Sequence, residues 1–295
     1  MLNSHKKISA YIFFGIASIT LAIYIYFQQI HPLLANGTPT LTPTPTLTPI
    51  LIPTPTPSPT PTPTLSPEEK EAKYGPCTYL PTLMYHHIEE ESVAKENGYA
   101  SLTVTPKIFD QQLTYLDSQH YTTIDMQQLI NFFDQNIPLP SKSVLLTFDD
   151  AYKDFAKNTA PILNNHRDKA TIFVPTGLMG VTNYLSWEDL KTLGNNSNYL
   201  FANHTWSHHS SISDTKTLLF EITTADTQLK DHALGQVAIF AYPYGTPSTN
   251  AETILEQLSY KLAFTTTHGT YLCKKQRLTL PRIRIGNAQL NNYGL

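Results

Sequence analysis

The chain has 295 residues, a formal net charge of −3 and an isoelectric point near 6.4. This nearly neutral balance gives no reason to expect a nucleic acid partner, which would require a basic surface. The charges are distributed unevenly, because no Asp, Glu, Lys or Arg occurs from Ile8 to Pro67.

The apolar segment Ile8–Phe27 predicts a transmembrane helix. About 20 apolar residues are enough to cross a bilayer as a helix. Lys6 and Lys7 precede the segment and the next basic residue is Lys70, so the positive-inside rule predicts a cytoplasmic tail at residues 1–7 and an extracellular location for the rest. A cleaved signal peptide is the alternative, although its apolar core is usually only about 7–15 residues long.

Residues 36–67 are rich in proline and threonine and predict an extended linker. Proline has no N–H for a helix or a sheet, and it biases the preceding residue toward extended geometry. At ~3.1 Å per residue, such a segment could span on the order of 90 Å. It would hold a folded domain at residues 68–295 away from the membrane.

Residues 68–295 are enough for one sizeable domain, in which short apolar runs alternate with helical patterns. The strand predictions are Leu80–Tyr85, Ser143–Phe148, Ala170–Val174, Tyr199–Ala202, Val237–Ala241, Lys261–Thr265 and Arg282–Ile285. Four helices are predicted: one after Thr105 with Pro106 first and a stripe of Phe109, Leu113 and Leu116; one with Met126, Leu129, Ile130 and Phe133 buried; one behind a capping box of Ser186 and Asp189; and one from Asp214 to Leu234, ending at Gly235. This alternation predicts a parallel sheet with covering helices, either open or closed into a barrel.

The two cysteines, Cys77 and Cys273, lie near the two ends of this region. A disulfide that ties the ends together is plausible for an extracellular domain. Two free buried thiols are the alternative, and the sequence does not decide between them.

Two adjacent carboxylates, Asp149 and Asp150, follow the predicted strand Ser143–Phe148. In α/β folds of this kind the site lies at the carboxyl ends of the strands. Two like charges at the mouth of a core cost free energy unless they face water or a cation lies between them. The pair therefore indicates either an exposed loop or a cation site.

A histidine pair, His204 and His208, follows another predicted strand. If these residues form a helical turn, the spacing of four places both rings on one face, where they can clamp a metal. Two imidazoles and one carboxylate make a three-ligand site with positions left for water and substrate. One aspartate would bind the cation, and the other would stay free as a base.

Three motifs in this order, LLTFDD from Leu145, NHTWSH from Asn203 and FAYPYG from Phe240, resemble the metal-dependent polysaccharide deacetylases of the NodB-homology group, carbohydrate esterase family 4. YLSWEDLKTL and PRIRIG are similar to segments of members that act on extracellular poly-N-acetylglucosamine or cell-wall glycans. The resemblance spans about residues 82–285. It implies a distorted (β/α)7 barrel.

The resemblance also implies roles for individual residues. Asp149 would be the general base, and the Tyr244 backbone N–H would help stabilise the oxyanion. The metal, zinc before other divalent ions, would be bound by Asp150, His204 and His208. The reaction would be hydrolysis of acetamide groups on an N-acetyl sugar polymer, giving acetate and a free amine.

The chain departs from the family pattern at two positions. Ala151 stands where the family usually has glycine, which would be costly if the backbone there has a positive φ. Ala241 stands where an arginine that orients the base is common. Arg282 or Arg284 could replace that arginine, and Arg282 is the preferred candidate. Alternatively, either residue could form an ion pair that serves only the structure.

The general acid is predicted to be His86, which follows the first strand in PTLMYHHI. This resembles the N-terminal motif of extracellular glycan deacetylases whose barrel is circularly permuted. His87 and His268 are the alternative candidates for the acid. If His86 has no catalytic role, it would be a buried, hydrogen-bonded histidine of the core. The alternative functions are an O-acetyl esterase acting on a glycan such as xylan, and a catalytically inactive module that binds cell-wall glycan.

Overall fold

A computed structural model describes residues 65–295, and the structural statements below concern this range. The predicted cytoplasmic tail, the transmembrane helix at 8–27 and almost all of the linker lie outside the described residues, so those assignments stay predictions. Within residues 65–295, no helix has the length and apolar character needed to traverse a bilayer.

Seven parallel strands close into a barrel. Residues 65–295 contain twelve strands in all, of which seven form the barrel: β1 (Cys77–Tyr79), β2 (Thr82–Tyr85), β3 (His87–Ile88), β4 (Thr103–Val104), β5 (Thr122–Thr123), β6 (Ser143–Phe148), β7 (Ala170–Val174), β8 (Tyr199–Asn203), β9 (Ile239–Ala241), β10 (Leu262–His268), β11 (Tyr271–Cys273) and β12 (Leu280–Arg284). The barrel order is β2-β12-β10-β9-β8-β7-β6, and β6 pairs back onto β2. Leu83 lies opposite Ile283 on one side and Leu146 on the other, so the first and last barrel strands are neighbours. Of the two predicted arrangements, the closed barrel is the one formed; the circular permutation stays a prediction.

Helices cover the barrel. They are α1 (Pro67–Tyr74), α2 (Glu91–Glu96), α3 (Pro106–Ser118), α4 (Met126–Gln135), α5 (Ala160–His166), α6 (Trp187–Leu193), α7 (Thr215–Asp231) and α8 (Thr249–Gln257). Because successive side chains of a strand point to opposite faces, adjacent strand residues enter different clusters. Leu145 packs in a cluster with α4, whereas Leu146 packs in a cluster with α3. The apolar stripes predicted for α3 and α4 are buried, as expected.

The helix ends agree with the predictions in part. Ser186 and Asp189 form the predicted capping box of α6. Thr105 is at the N-cap position of α3 and Pro106 at the first helical position, as predicted, but the Thr105 hydroxyl donates to Asn287 Oδ1 and makes no capping hydrogen bond. Helix α7 ends at Asp231, before the predicted Leu234, because the backbone has already turned to a φ of 57° at Ala233.

A disulfide joins Cys77 and Cys273, so the thiols are not free. The two residues are partners in the antiparallel pair β1–β11, at a sequence separation of 196. In the chain-entropy description, a crosslink that closes a loop of this length stabilises the fold by about 5 kcal/mol. The bridge therefore ties the start of the described domain to its last third.

Asp168, just before β7, is a buried carboxylate with incomplete hydrogen bonding. Its Oδ1 accepts from the Thr123 hydroxyl at 2.9 Å, and no hydrogen bond within residues 65–295 reaches its Oδ2. Burial raises the pKa of Asp168 to about 6. The folded state thus holds this proton more tightly than the unfolded state, and the stability falls as the pH rises from about 4 through 6.

We expect Asp168→Asn to stabilise the protein at pH 8, because an amide removes the buried charge and keeps an acceptor for Thr123. A pKa raised by about two units corresponds to a gain on the order of 1–3 kcal/mol. Urea unfolding of the unmodified protein and of Asp168→Asn, at pH 8 and at pH 4.5, measures this difference in the free energy of unfolding. The gain should shrink at pH 4.5, where Asp168 is already protonated, and an equal gain at both pH values would contradict this explanation.

Candidate active site and metal centre

The acidic pair ends strand β6 at the carboxyl end of the barrel. Asp149 N donates to Tyr85 O at 2.9 Å and so continues the pairing of β6 with β2. The chain then turns through Asp150 and Ala151, which have φ values of 75° and 53°. For a residue with a side chain, left-handed backbone costs about 1–2 kcal/mol. The position of Ala151 therefore has the positive φ for which glycine would be favoured.

Three ligand atoms converge beyond this turn. Asp150 Oδ1 lies 3.4 Å from His204 Nε2 and 3.1 Å from His208 Nε2. The ligand atoms of these residues all lie within 4.8 Å of one another. The three side chains of the predicted metal site are thus together in space, although they come from two separate loops.

His204 and His208 do not lie on the helical turn that would place both rings on one face. The segment after β8 is a loop in which Thr205 and His208 have φ values of 66° and 58°. Its geometry is fixed by Glu221 on α7, whose carboxylate accepts from the backbone N–H groups of Trp206 and Ser207 at 3.0 and 2.8 Å. The two imidazoles meet because the loop turns back, and not because a helix places them on one face.

His204 has one ring nitrogen fixed by the backbone. Its Nδ1 lies 2.8 Å from Ala241 O, and a carbonyl oxygen can only accept, so Nδ1 carries a proton and Nε2 is the nitrogen that faces Asp150. This is the arrangement that orients a histidine ligand on a metal.

Asp150 Oδ1 is buried and makes no hydrogen bond within the described range. Burial raises the pKa of Asp150, but the His204 and His208 imidazoles hold it well below its usual value, so the carboxylate is anionic. An anionic oxygen and two imidazole nitrogens facing one point fit a divalent cation.

Asp149 is held by a different partner. Arg282 donates to both of its carboxylate oxygens at 2.7 Å and also to Thr265 O at 2.9 Å. Both members of the pair are buried, and Arg282 is 0% exposed, whereas Arg284 is on the surface. Burial raises the pKa of Asp149, and the Arg282 guanidinium more than offsets this, so that the pKa lies below its usual value.

His86 follows β2 at the same end of the barrel and is partly exposed. Burial lowers its pKa below the ordinary value, against the attraction of Asp149 and Asp150, which places the imidazole within the field of both carboxylates. The two alternative histidines lie elsewhere. His87 stacks between Tyr99 and Tyr152, and His268 is exposed at the end of β10, beside a cavity lined by Lys70 and Tyr271.

Tyr244 lies in a tight turn between Pro243 and Gly245, with a φ of 60°. A Cβ atom on Gly245 would lie 2.0 Å from the Thr266 hydroxyl oxygen, so glycine is required there. The Tyr244 side chain is exposed, and its ring lies 4.7 Å from the His208 ring. The turn is thus at the metal centre, and the role of the Tyr244 N–H stays a prediction.

Sequence reasoning missed two tyrosines beside the centre. Burial first, and then the Asp150 charge, raise the pKa values of Tyr152 and Tyr184. The two rings are 5.2 Å apart. Tyr152 follows the acidic pair by two residues, and this closeness in sequence could have indicated a position near the site. No local pattern in the sequence indicates Tyr184.

We expect Arg282→Met to destabilise the protein by about 3–5 kcal/mol, because it leaves a buried carboxylate without its partner. Arg284→Met is the matched control and should cost less than about 0.5 kcal/mol, since that side chain is exposed. Urea unfolding in excess chelator gives both values. Adding Asp149→Asn to Arg282→Met should recover much of the loss, and a double variant as unstable as the single one would contradict the explanation.

Comparison with known proteins also points to polysaccharide deacetylases. Residues 136–263 match the polysaccharide deacetylase family. The chain is 23% identical over 272 residues to the poly-β-1,6-N-acetyl-D-glucosamine N-deacetylase of Escherichia coli strain K12, which covers 76% of this chain but only 39% of that protein. The enzyme of that name from Staphylococcus aureus strain MRSA252 is 21% identical over 240 residues, covering 74% of this chain and 82% of the relative.

A solved structure is similar over most of both chains. The Streptococcus pyogenes deacetylase PplD, determined in complex with acetate, superposes with a TM-score of 0.67 at 30% sequence identity. The match covers 72% of this chain and 96% of PplD. With its closed seven-stranded barrel and its three motifs in order, the chain belongs to the polysaccharide deacetylase family.

Proposed function

We propose that the domain removes N-acetyl groups from an extracellular polysaccharide that contains N-acetylglucosamine and releases acetate. The observation that carries this proposal is the convergence of Asp150, His204 and His208 beside the Asp149–Arg282 pair. The names of the relatives from E. coli and S. aureus support this substrate class. The disulfide supports an oxidising, extracellular location, since such bonds persist there.

Asp150, His204 and His208 would hold the cation, and zinc suits this ligand set. When bound, it would supply a Lewis acid that makes water acidic and polarises the acetyl carbonyl. Asp149 is the base in this scheme. Arg282 keeps it ionised and fixes the orientation of both carboxylate oxygens, so the free lone pairs can accept the proton of the attacking water.

Two further groups complete the reaction. The Tyr244 N–H would donate to the carbonyl oxygen as negative charge develops there. The His86 imidazolium would give a proton to the leaving nitrogen as the C–N bond breaks, so that acetate and an amine are formed. Its lowered pKa makes the imidazolium a stronger acid, at the cost of a smaller protonated fraction near neutral pH.

Acetate release from chitooligosaccharide, poly-N-acetylglucosamine, peptidoglycan and acetyl-xylan, with and without chelator, tests the function and the metal. Release from an N-acetylated glycan that a chelator abolishes and zinc restores is the expected result. Release from acetyl-xylan alone would identify an O-acetyl esterase. No release from any of them would favour a binding module.

Metal content separates the two aspartates. We expect Asp150→Ala, His204→Ala and His208→Ala to lose both bound metal and activity, since each removes a ligand. Asp149→Asn should keep the metal and lose turnover, because it removes only the base. Elemental analysis of purified variants measures this. If Asp149→Asn empties the site while Asp150→Asn stays filled, the two carboxylates have been assigned the wrong way round.

His86→Ala should lower kcat by about 10²–10⁴-fold, the usual contribution of a general acid, with metal content nearly unchanged. The loss should be smaller for an activated ester, whose leaving group needs no proton. His268→Ala is the comparison, because that side chain is exposed and lines a different cavity. Full activity of His86→Ala together with loss in His268→Ala would assign the acid to His268 instead.

A further inference from the structure

A cavity of about 450 Å³ lies beside the metal centre, a volume in the range of ligand sites. His87, Asp154 and Glu89 line it. Tyr152 links the two places, since its ring stacks on His87 of the cavity lining at 3.7 Å and it follows Asp150 by only two residues. A glycan that places one sugar at the metal centre can therefore reach this cavity with a neighbouring sugar.

Stacking and hydrogen bonds hold one wall of the cavity in place. The His87 ring is stacked between Tyr99 and Tyr152, at ring-centre distances of 4.0 and 3.7 Å. Asp154 holds its edge, with Oδ1 3.2 Å from His87 Nδ1 and with Oδ2 accepting from Ile88 N at 2.6 Å. Both carboxylate oxygens of Asp154 are thus engaged in supporting the wall.

Glu89 has an oxygen to spare. Its Oε1 accepts from Glu90 N at 3.0 Å and from Asn158 Nδ2 at 3.2 Å, whereas no hydrogen bond to Oε2 is formed within residues 65–295. The residue is only 9% exposed, and no cation lies within ion-pair distance of it in that range. Most of the side chain is buried, but Oε2 is still accessible from the cavity, so this oxygen is free to accept a hydrogen bond from a bound ligand.

The charge of the lining favours a cation over an anion. Glu89, Asp154 and Asp189 supply three carboxylates, against two lysines, Lys153 and Lys157. The lysines are exposed, so water screens them, while Glu89 and Asp154 are buried and are screened much less.

We propose that the cavity binds a sugar next to the reacting one, and that Glu89 selects a sugar whose amine is already free. This proposal rests on the proposed function, because a glucosamine unit is the product of that reaction. An ammonium group on the neighbouring sugar donates to Glu89 Oε2 and compensates the buried carboxylate. The enzyme then acts preferentially next to a site that is already deacetylated, which produces runs of glucosamine along the polymer.

The test compares three N-acetylglucosamine tetrasaccharides: one fully acetylated, and two with a single glucosamine at either end. Each is prepared with β-1,4 and with β-1,6 linkages. The full-length protein loaded with zinc should prefer one glucosamine-containing isomer by about fivefold to twentyfold in kcat/KM, the effect of one charge-assisted hydrogen bond at a partly screened site. The preference should weaken as salt is raised.

Glu89→Gln should abolish the preference, because the amide keeps the Oε1 acceptor and loses the charge. Glu90→Gln is the matched control, since Glu90 is the next residue, is exposed and does not line the cavity. The control should keep the preference. Equal rates for all three tetrasaccharides in the unmodified protein, or a preference that persists in Glu89→Gln, would overturn the proposal.

Calorimetric titration with the same tetrasaccharides separates this proposal from the proposed function. Tighter binding of a glucosamine-containing tetrasaccharide that Glu89→Gln removes supports the cavity, even if no acetate is released and the proposed function fails. Equal affinities overturn the cavity proposal whatever the activity. Weaker binding of both glucosamine-containing forms also overturns it, and would show that Lys153 and Lys157 dominate the field.

Discussion

Two buried carboxylates on adjacent residues are the constraint around which this end of the barrel is arranged. Asp149 and Asp150 cannot both be ionised side by side in a core unless each has its own compensating partner. Asp149 has the Arg282 fork at 2.7 Å, and Asp150 has the two imidazoles. The left-handed backbone at Asp150 points the two side chains to different partners. One aspartate is thereby suited to accept a proton and the other to bind a cation.

Barrel closure is what supplies Arg282. The arginine is 133 residues from Asp149 in the sequence, and it reaches the end of β6 because β12 pairs with β2 and β2 pairs with β6. An open sheet with this strand order would leave β2 and β12 at the edge opposite β6. The seven-strand closure therefore shapes the candidate site as well as the core, since it brings the only buried arginine among the described residues to Asp149, the candidate base.

Local patterns in the sequence predicted the strands well, and two of them, Ser143–Phe148 and Ala170–Val174, have the predicted bounds. Both are continuous apolar runs between polar residues, so their signal is local. The geometry of the histidine loop could not be predicted in this way. Its form depends on Glu221, which lies on α7 and contacts the loop only through the tertiary fold. The spacing of four identified the two histidines that converge on Asp150, although the helical turn on which that argument depended is not formed.

The choice between Arg282 and Arg284 shows a second limit of sequence patterns. The two residues are on the same face of a strand by alternation, so periodicity cannot separate them. The two arginines differ in their position along the strand. Arg284 is the last residue of β12, whereas Arg282 lies two residues before that end, opposite His268 of β10. Depth in a barrel is set by the register between strands, which a single chain does not reveal before the strands are paired.

The six residues from Asp149 to Asp154, which follow β6, include side chains of both the candidate active site and the neighbouring cavity. Their backbone is strained at Asp150 and Ala151. Asp149 is the candidate base, Asp150 a candidate ligand, and Asp154 supports His87 at the neighbouring cavity. Between them, Ala151 is buried with a positive φ, and its carbonyl accepts from Leu185 N at 3.0 Å. That hydrogen bond, with the one from Lys153 N to Asn183 O, holds the strained turn against the segment that carries Tyr184. Contacts outside the loop thus offset the conformational free energy of the strained turn. The same contacts hold the segment of Tyr152, whose ring packs on His87 at the cavity.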